Sequence, residues 1–304
     1  MMNETVKKPT LGYKAKKRLG IAATYLVLTV LSVIWIIPIL WIVLHAFRVE
    51  YNVSGDLIGI VVSHYFPKSY GLDNFKNLFA GTYYGVKNAF PKWWLNTLIV
   101  SVCCCLISTF LVLSVGYCMS KLRFKMRKPF MNFSMVIGLF PGFMSMIAIY
   151  YLLKAIGLTQ SLFGLILAYS AGAGMGFQVP KGFFDVIPSS LVESAKLDGC
   201  SNFKIFARII LPLSKPIIIY QLLMAFTGPW MDFIFAKVIM GELNPEKWTV
   251  SVGLYSLLFG PQSSQTFFTQ FAAGCVCVGL PIVLLFMFLQ KYYVEGVTAG
   301  AVKG

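Results

Sequence analysis

Long apolar runs are the feature that most restricts how this chain can fold. The first extends from Leu19 to Phe47 without one Asp, Glu, Lys or Arg, which is longer than the ~20 residues that a helix needs to cross a bilayer. Of the 304 residues, 58% are hydrophobic and 12% are charged, whereas about a quarter are charged in soluble domains. Backbone polar groups inside a bilayer are satisfied within helices or closed barrels. The runs therefore predict an all-α, multi-pass membrane protein.

Six such runs are predicted to cross the membrane, and the segments between them set the direction. The loop at 121–128 carries five basic residues and no acid, so we place it inside the cell. An odd number of spans would put this loop and the polar stretch at 191–216 on opposite sides, which their charge opposes. Both termini are therefore expected in the cytoplasm. The predicted segments are a basic arm at 1–18, a membrane domain at 19–290 with spans at about 19–47, 93–119, 129–153, 161–179, 216–240 and 267–290, and a tail at 291–304.

The distribution of basic residues supports this arrangement and argues against nucleic-acid binding. The formal net charge is +15, but nucleic-acid binding requires cations gathered on a soluble face. Here the cations flank apolar runs, and 18 of the 26 Lys and Arg residues fall on the predicted inner side. Multi-pass membrane proteins normally show this bias. We expect contact with membrane lipid and no contact with nucleic acid.

The sequence contains no constellation that predicts catalysis or metal binding. The phosphate-loop pattern G-x-x-x-x-G-K-[ST] does not occur, so ATP hydrolysis by that route would belong to another subunit. His45, His64 and the seven cysteines lack ligand spacing. A carrier driven by protons or sodium would need a relay of intramembrane charges, for which Asp232 and Lys237 are too few. We predict a non-catalytic chain that binds neither metal nor cofactor.

A polar stretch from Leu191 to Pro216 interrupts the apolar pattern. It reads LVESAKLDGCSNFKIFARIILPLSKP, and apolar residues recur at spacings of three and four on both sides of Gly199, which predicts two short amphipathic helices. Gly199 can adopt the left-handed conformation that ends a helix. Ser201 can cap the next helix, and Pro212 can stop or kink it. The alternative is a helix lying flat on the membrane, which explains neither the glycine nor the acid at each end of the first helix.

This stretch resembles a loop of one transporter family. The pattern E-S-A-x-x-D-G, followed by F-A-R-I-I-L-P-L, resembles the EAA loop of importer-type ABC transporter permeases, with Ser194 where the family usually has alanine. KGFFDVIPSSLVESAKLDG upstream and QKYYVEGVTAGAVKG downstream are similar to carbohydrate permeases of the MalG type, the second membrane subunit of maltose and maltodextrin importers. The resemblance covers nearly the whole chain.

The resemblance implies a type I ABC importer permease fold in a bacterial cell membrane and a set of partners. These are a second homologous permease subunit, two cytoplasmic ATPase subunits that hold ATP and Mg²⁺, and an extracellular sugar-binding protein. The cargo would be a malto-oligosaccharide, with another oligosaccharide or a sugar alcohol as the alternative.

In the family, the loop at 190–215 is the coupling-helix loop that docks on the ATPase, and the tail reaches between the two ATPase subunits. We expect Phe203 and Phe206, with Leu197, to supply the apolar fit to the ATPase. The resemblance carries the coupling role to Glu193, Ala195, Asp198, Gly199 and Pro212, and the tail role to Gly300, Val302, Lys303 and Gly304.

The outer loop from Gly241 to Thr266 matches, by position, the segment that contacts the binding protein in the family. Its side chains Tyr255, Leu258 and Phe259 are aromatic or apolar, which suits a partner contact at an outer surface. A segment packed on neighbouring spans is an equally weighted alternative.

A sugar pathway is the least specific prediction. Asp232 falls inside the fifth predicted span, where an acid faces protein or water and not lipid. It could bind a sugar hydroxyl, but pairing with another helix is the favoured alternative. Trp230, Tyr150 and Gln178 are further candidates, each with helix packing or interface anchoring as the alternative.

Overall fold

The apolar runs form long helices in the structure, which is a computed structural model. It describes residues 11–301, apart from 53, 56, 58, 60–64, 262 and 264–266. Within these residues, four helices are long and apolar enough to cross a membrane, and two sharply bent helix pairs raise the number to six if each pair is one span. The four are Ala15–Ala46, Ala89–Lys121, Leu162–Val186 and Phe268–Gln290.

The helices follow one another with short connections, and one small hairpin lies before the second long helix. In the hairpin, Thr82–Tyr83 (β1) pairs antiparallel with Val86–Lys87 (β2). The helices are α1 Leu11–Ala46, α2 Asp73–Ala80, α3 Ala89–Lys121, α4 Arg127–Gly138, α5 Gly142–Ala155, α6 Leu162–Ala173, α7 Gln178–Asp185, α8 Ser189–Leu197, α9 Asn202–Ile205, α10 Leu211–Leu213, α11 Lys215–Met231, α12 Ile234–Met240, α13 Val250–Phe259 and α14 Phe268–Ala301.

The third predicted span, at 129–153, is not one straight helix. It contains parts of α4 and α5, whose axes differ by 103°. Pro141 lies in the break between them. Proline cannot donate a backbone hydrogen bond, and its ring disfavours helical torsions at the preceding Phe140. The apolar composition of 129–153 is continuous, but its backbone direction is not.

The fifth predicted span, at 216–240, is also interrupted. α11 ends at Met231 and α12 begins at Ile234, because Asp232 takes extended torsions (φ −81°, ψ 125°). At its start, α11 lies at 89° to the helical segment Asn202–Leu213. That segment ends one residue after Pro212, as the sequence predicts for a proline that stops a helix.

The fourth predicted span, at 161–179, continues beyond its predicted end. α6 is followed by a 3₁₀ turn at Gly174–Phe177 and then by α7. A Cβ atom added at Gly172 or Gly176 would meet no heavy atom within 4 Å. The tighter 3₁₀ winding is therefore not forced by close packing at these two glycines.

α3 is the central element and joins two apolar cores. It packs against α6, α7, α11 and α13. Around its first turns lies a large core that includes Phe90, Trp93 and Trp248, all of which are fully buried. Around its last turns lies a second core, which is built with residues from α7 to α11. α3 is therefore the element that connects the two cores.

α1 has a different environment from α3. It packs along α14, and its remaining surface is apolar and exposed, with Leu19 73% and Trp35 75% exposed. A surface of this size and composition requires lipid or another apolar protein surface around it.

Candidate functional site

The turn between α8 and α9 has the geometry that the sequence predicts. Gly199 has φ +74°, in the left-handed region. The amide of Cys200 donates to the carbonyl of Ala195 at 2.9 Å, and the amide of Gly199 donates to the carbonyl of Lys196 at 3.0 Å. These two bonds form a Schellman motif, in which glycine ends a helix and satisfies its last carbonyls. The predicted role of Gly199 as a helix terminator is confirmed.

The second helix of the loop begins with the predicted cap and then widens. The hydroxyl of Ser201 accepts a hydrogen bond from the amide of Lys204 at 3.3 Å, which confirms the cap. Phe206–Ile210 form a π-helical turn closed by the amide of Leu211 and the carbonyl of Phe206. The wide turn lies directly before Pro212, whose ring would otherwise contact the carbonyl four residues earlier. The sequence analysis did not predict this change of helix type.

One face of the loop is anchored in the second core. Ala195 is 6% exposed and Phe206 is 5% exposed, and the ring of Phe206 packs against Tyr117 with centroids 5.0 Å apart. The hydroxyl of Tyr117 also donates to the carbonyl of Asn202 at 3.1 Å. The prediction that Phe206 lies on a partner-facing surface is therefore wrong, because this ring fills a buried site against α3. Ala195 is buried by the same packing.

The opposite face of the loop carries charged and apolar side chains on the surface. Leu197 is 90% exposed and Phe203 is 70% exposed, and Glu193, Asp198 and Pro212 of the same loop are also exposed. The two helices and the turn thus present large apolar side chains outward from a rigid base. Isolated exposed leucines are normal in proteins, but an exposed Leu and Phe rimmed by two acids form a surface suited to a partner.

Hydrogen bonds at the base of the loop connect it to α3 and α7. Asp185 accepts from the hydroxyl of Ser120 and from the ammonium of Lys181, both at 2.6 Å. The ammonium of Lys121 donates to the carbonyl of Ile187 at 2.5 Å. The last turns of α3 and α7 and the start of α8 are therefore held as one unit.

The segment from Gly241 to Gly260 is packed against α3 by a set of polar contacts. The indole of Trp93 donates to the carbonyl of Pro245 at 2.7 Å, and the hydroxyl of Thr97 accepts from the amide of Val250 at 2.8 Å. Lys92 pairs with Glu246 at 2.6 Å, and this hydrogen bond is the main reason that the pKa of Glu246 is lowered. Thr97 thus caps α13 from a different helix.

α13 has one exposed stripe. Val252 and Leu257 are buried against its neighbours, whereas Tyr255 is 39% exposed and Phe259 is 68% exposed; Leu258 is half-buried. The sequence allowed two interpretations of this segment, and the one in which it packs on neighbouring helices is correct for the buried face of α13. The stripe with Tyr255 and Phe259 is the part available to a partner, and its contact with a binding protein stays a prediction.

Asp232 has a structural environment. Its carboxylate accepts a short hydrogen bond from the hydroxyl of Tyr169 on α6 and accepts from the amides of Phe235 at 3.2 Å and Ala236 at 3.1 Å. It therefore caps α12 and pairs with another helix, as the favoured alternative predicts. Sequence reasoning missed Tyr169; the usable signal is a phenol in an apolar helix, where the hydroxyl requires a partner.

Removing this carboxylate should destabilise the protein. We expect Asp232→Ala to cost about 2–4 kcal/mol, since it removes a helix cap and leaves the Tyr169 hydroxyl unpaired. Asp232→Asn keeps an acceptor oxygen and should cost roughly half as much. Thermal unfolding of the purified variants measures both, and a cycle with Tyr169→Phe should be non-additive. An Asp232→Asn protein of unchanged stability that has lost transport would instead indicate a direct role in the pathway.

The four predicted pathway residues are not brought together by any described contact. Trp230 is 3% exposed and packs against Trp94 with ring centroids 5.5 Å apart. Tyr150 on α5 packs against Tyr151, and Gln178 is exposed at the start of α7. A cavity of about 220 Å³ lies between α3, α6 and α11 instead, with polar groups from Ser108, Tyr169 and Gln221.

The remaining candidates lie at the C-terminus. Gly300 lies in α14, and Val302, Lys303 and Gly304 lie outside the described residues. Their predicted contact with ATPase subunits stays a prediction. Among the described residues, no three His, Cys, Asp or Glu side chains are grouped so that they could hold a metal ion.

The fold matches a solved transporter. The crystal structure of a bacterial ABC transporter involved in the import of the acidic polysaccharide alginate contains a chain that superimposes with a TM-score of 0.75, covering 94% of this chain and 100% of that one at 18% sequence identity. At this identity the likeness establishes the fold, which is that of an ABC importer permease.

Sequence comparisons give closer relatives. The maltodextrin permease MdxG of Bacillus subtilis is 36% identical over 92% of this chain and 95% of its own length. The maltodextrin permease MalD of Streptococcus pneumoniae is 36% identical, and the galactooligosaccharide permease GanQ of Bacillus subtilis is 34% identical, each over 96% of this chain and 98% of the relative. Residues 111–298 match the family described as binding-protein-dependent transport system inner membrane component. The chain belongs to this family of multi-pass transport permeases.

Proposed function

We propose that this chain is the membrane-spanning permease subunit of an ATP-driven importer and that its cargo is a malto-oligosaccharide. The relatives that support the cargo are maltodextrin permeases. The observation that best supports the mechanism is the helix-turn-helix at 189–213. It exposes Leu197 and Phe203 on one face and packs against α3 with the other.

In the proposed topology, α4 with α5 forms one span and α11 with α12 forms another. Together with the four long helices they give six spans with both termini in the cytoplasm. The charge pattern supports this count, because the loop at 121–128 and the loop at 189–213 then share the inner side. The segment at 241–260 lies on the outer side, with Tyr255 and Phe259 directed toward the sugar-binding protein.

The coupling loop transmits movement of the ATPase to the membrane helices. Leu197 and Phe203 insert into the ATPase surface, while Glu193 and Asp198 pair with basic groups at the rim, where exposed ion pairs contribute little. Phe206 and Ala195 act differently, since they fix the loop to Tyr117 and its neighbours. A push on the loop therefore moves the end of α3 together with α7 and α11.

The proposed partners are those of a binding-protein-dependent importer, the class to which the family belongs. A second permease subunit covers the exposed side of the helices, two ATPase subunits hold ATP and Mg²⁺ and receive the coupling loop and the C-terminal tail, and a binding protein delivers the sugar. This chain supplies no catalytic group and binds no cofactor. Its pathway contribution is the mainly apolar cavity that Ser108, Tyr169 and Gln221 help to line.

Galactooligosaccharides are the second candidate cargo, because a galactooligosaccharide permease is similar over almost the whole chain. The two cargoes share the hydroxyl-rich surface of an oligosaccharide and differ in the linkage and orientation of their hydroxyls. Discrimination therefore requires a direct competition between sugars.

The test is uptake and ATPase activity in vesicles that contain this chain with its partner permease, ATPase and binding protein. Labelled maltotriose is offered against a galactose-based trisaccharide of equal length. We expect maltotriose to enter and to stimulate hydrolysis several-fold over the competitor. Stimulation by the galactose-based sugar alone would contradict the cargo, and uptake without any ATPase would contradict the importer class.

A further inference from the structure

A cavity of about 850 Å³ lies between the end of α3, the start of α4 and α8. Four cations line it: Lys121, Arg123, Arg127 and Lys196. Glu193 is the single acid in its lining. The cavity is therefore strongly positive, and it adjoins the base of the coupling loop.

Three of these cations form no salt bridge in the described part of the chain, although the charges of Lys121 and Arg127 act on the nearby carboxylate of Asp185. Lys121 donates to a backbone carbonyl, whereas Arg123, Arg127 and Lys196 form no described salt bridge. Like charges around one cavity repel each other. An anion in the cavity would remove this repulsion and would accept several hydrogen bonds from guanidinium groups, whose planar geometry suits phosphate oxygens.

The surroundings of the cavity favour a lipid as the source of the anion. Lys121 ends one apolar helix and Arg127 begins the next, so the cavity lies where two candidate spans leave the membrane. Phe124, which lines the cavity, is 43% exposed, and the neighbouring Met126 is 64% exposed. Cations alternating with exposed apolar side chains are typical of a surface that lies at the lipid headgroups. Basic pockets between helices on the cytoplasmic side bind anionic headgroups.

We propose that this cavity binds a phosphate-bearing anion, supplied by the headgroup of an anionic phospholipid in the inner leaflet. The assignment to the inner leaflet rests on the topology proposed above, but the binding of the anion does not depend on transport. Because Glu193 and Lys196 belong to α8, a bound headgroup contacts the coupling loop directly. The lipid thereby joins the basic loop at 121–128 to the first coupling helix.

The test counts lipids retained by the purified full chain in native mass spectrometry, with phosphatidylglycerol and phosphatidylcholine offered together. We expect phosphatidylglycerol to be retained about tenfold over phosphatidylcholine. The double variant Arg123→Gln/Arg127→Gln should weaken this retention about tenfold or more. The matched control Lys125→Gln/Lys128→Gln removes the same charge from the same segment outside the cavity and should change retention less than about threefold.

The contrary outcomes are specific. Equal losses in both double variants would indicate diffuse surface charge and would overturn the cavity. Inorganic phosphate could instead displace phosphatidylglycerol and stabilise the chain against heat equally well when phosphatidylcholine is the only lipid present. These two results together would assign the site to a soluble anion and overturn the lipid. Unchanged lipid retention with reduced co-purification of the ATPase would assign the cations to the ATPase. Should the Gln variant misfold, Arg123→Lys/Arg127→Lys decides, since it keeps the charge and should retain at least half of the lipid.

Discussion

Replacing Gly199 with valine is expected to uncouple ATP hydrolysis from sugar uptake while the protein remains in the membrane at its normal level. Gly199 has φ +74°, and a β-branched residue adopts this conformation only with strain. A Cβ atom at this position would meet no heavy atom within 4 Å. The cost is therefore torsional and local, and it acts on the direction of the turn without disturbing a core.

The size of the effect follows from the strain. A residue held in an unfavourable backbone region costs about 1–3 kcal/mol, which lowers the population of the native turn roughly fivefold to 150-fold relative to other turn conformations. Leu197 and Phe203 stand on opposite sides of the turn and are exposed, so both lose their shared orientation. Coupled uptake should fall at least fivefold.

The measurement is labelled-sugar uptake together with ATPase activity in vesicles, and two variants control it. Gly199→Asn should retain most of the activity, since asparagine tolerates the left-handed conformation. Gly182→Val makes the same chemical change in α7, where φ is not positive and no heavy atom lies within 4 Å of the added Cβ; it should leave uptake nearly unchanged. Normal uptake by Gly199→Val would refute the role of the turn.

Local chemistry explains why this turn could be predicted and why its faces could not. Glycine, serine and proline act through their own backbone torsions and hydrogen bonds. Gly199, Ser201 and Pro212 therefore made the helix-turn-helix predictable from the sequence. Phe203 and Phe206 are three residues apart, which separates them by only about 60° around an α-helix. Helical periodicity therefore cannot predict that Phe203 is exposed and Phe206 is buried. Phe206 is buried because its ring packs against Tyr117, which lies far away in the sequence.

The helices show the same limit on a larger scale. Apolar length identified the regions that could span a membrane, because hydropathy is a property of a continuous window. Direction is not such a property. The 103° bend near Pro141 and the interruption at Asp232 depend on single residues and, for Asp232, on Tyr169 in another helix. The cation-lined cavity also could not be predicted from the sequence, because its lining combines residues of the loop at 121–128 with residues of α8.

Gly253→Ala is expected to displace α13 and to lower the stability of the core around Phe90, Trp93 and Trp248. A Cβ atom at Gly253 would lie 2.1 Å from Cε3 of Trp93, well inside any real contact distance. Trp93 cannot turn away without cost, since it is fully buried and its indole donates to the carbonyl of Pro245 at 2.7 Å. Overpacking of this kind costs about 1–3 kcal/mol, and loss of the indole hydrogen bond adds about 1 kcal/mol.

The unfolding temperature of the purified chain measures this prediction, with Gly279→Ala as the matched control. Gly279 lies in α14, and an added Cβ atom there meets no heavy atom within 4 Å, so alanine should leave the temperature unchanged or raise it slightly. Gly253→Ala should lower it by roughly 2–10 °C. Because α13 carries the exposed rings of Tyr255 and Phe259, the displaced helix should also weaken stimulation of the ATPase by the binding protein. Equal unfolding temperatures for the two variants would show that α13 does not pack against Trp93. Other contacts would then have to hold the segment at 241–260 in place.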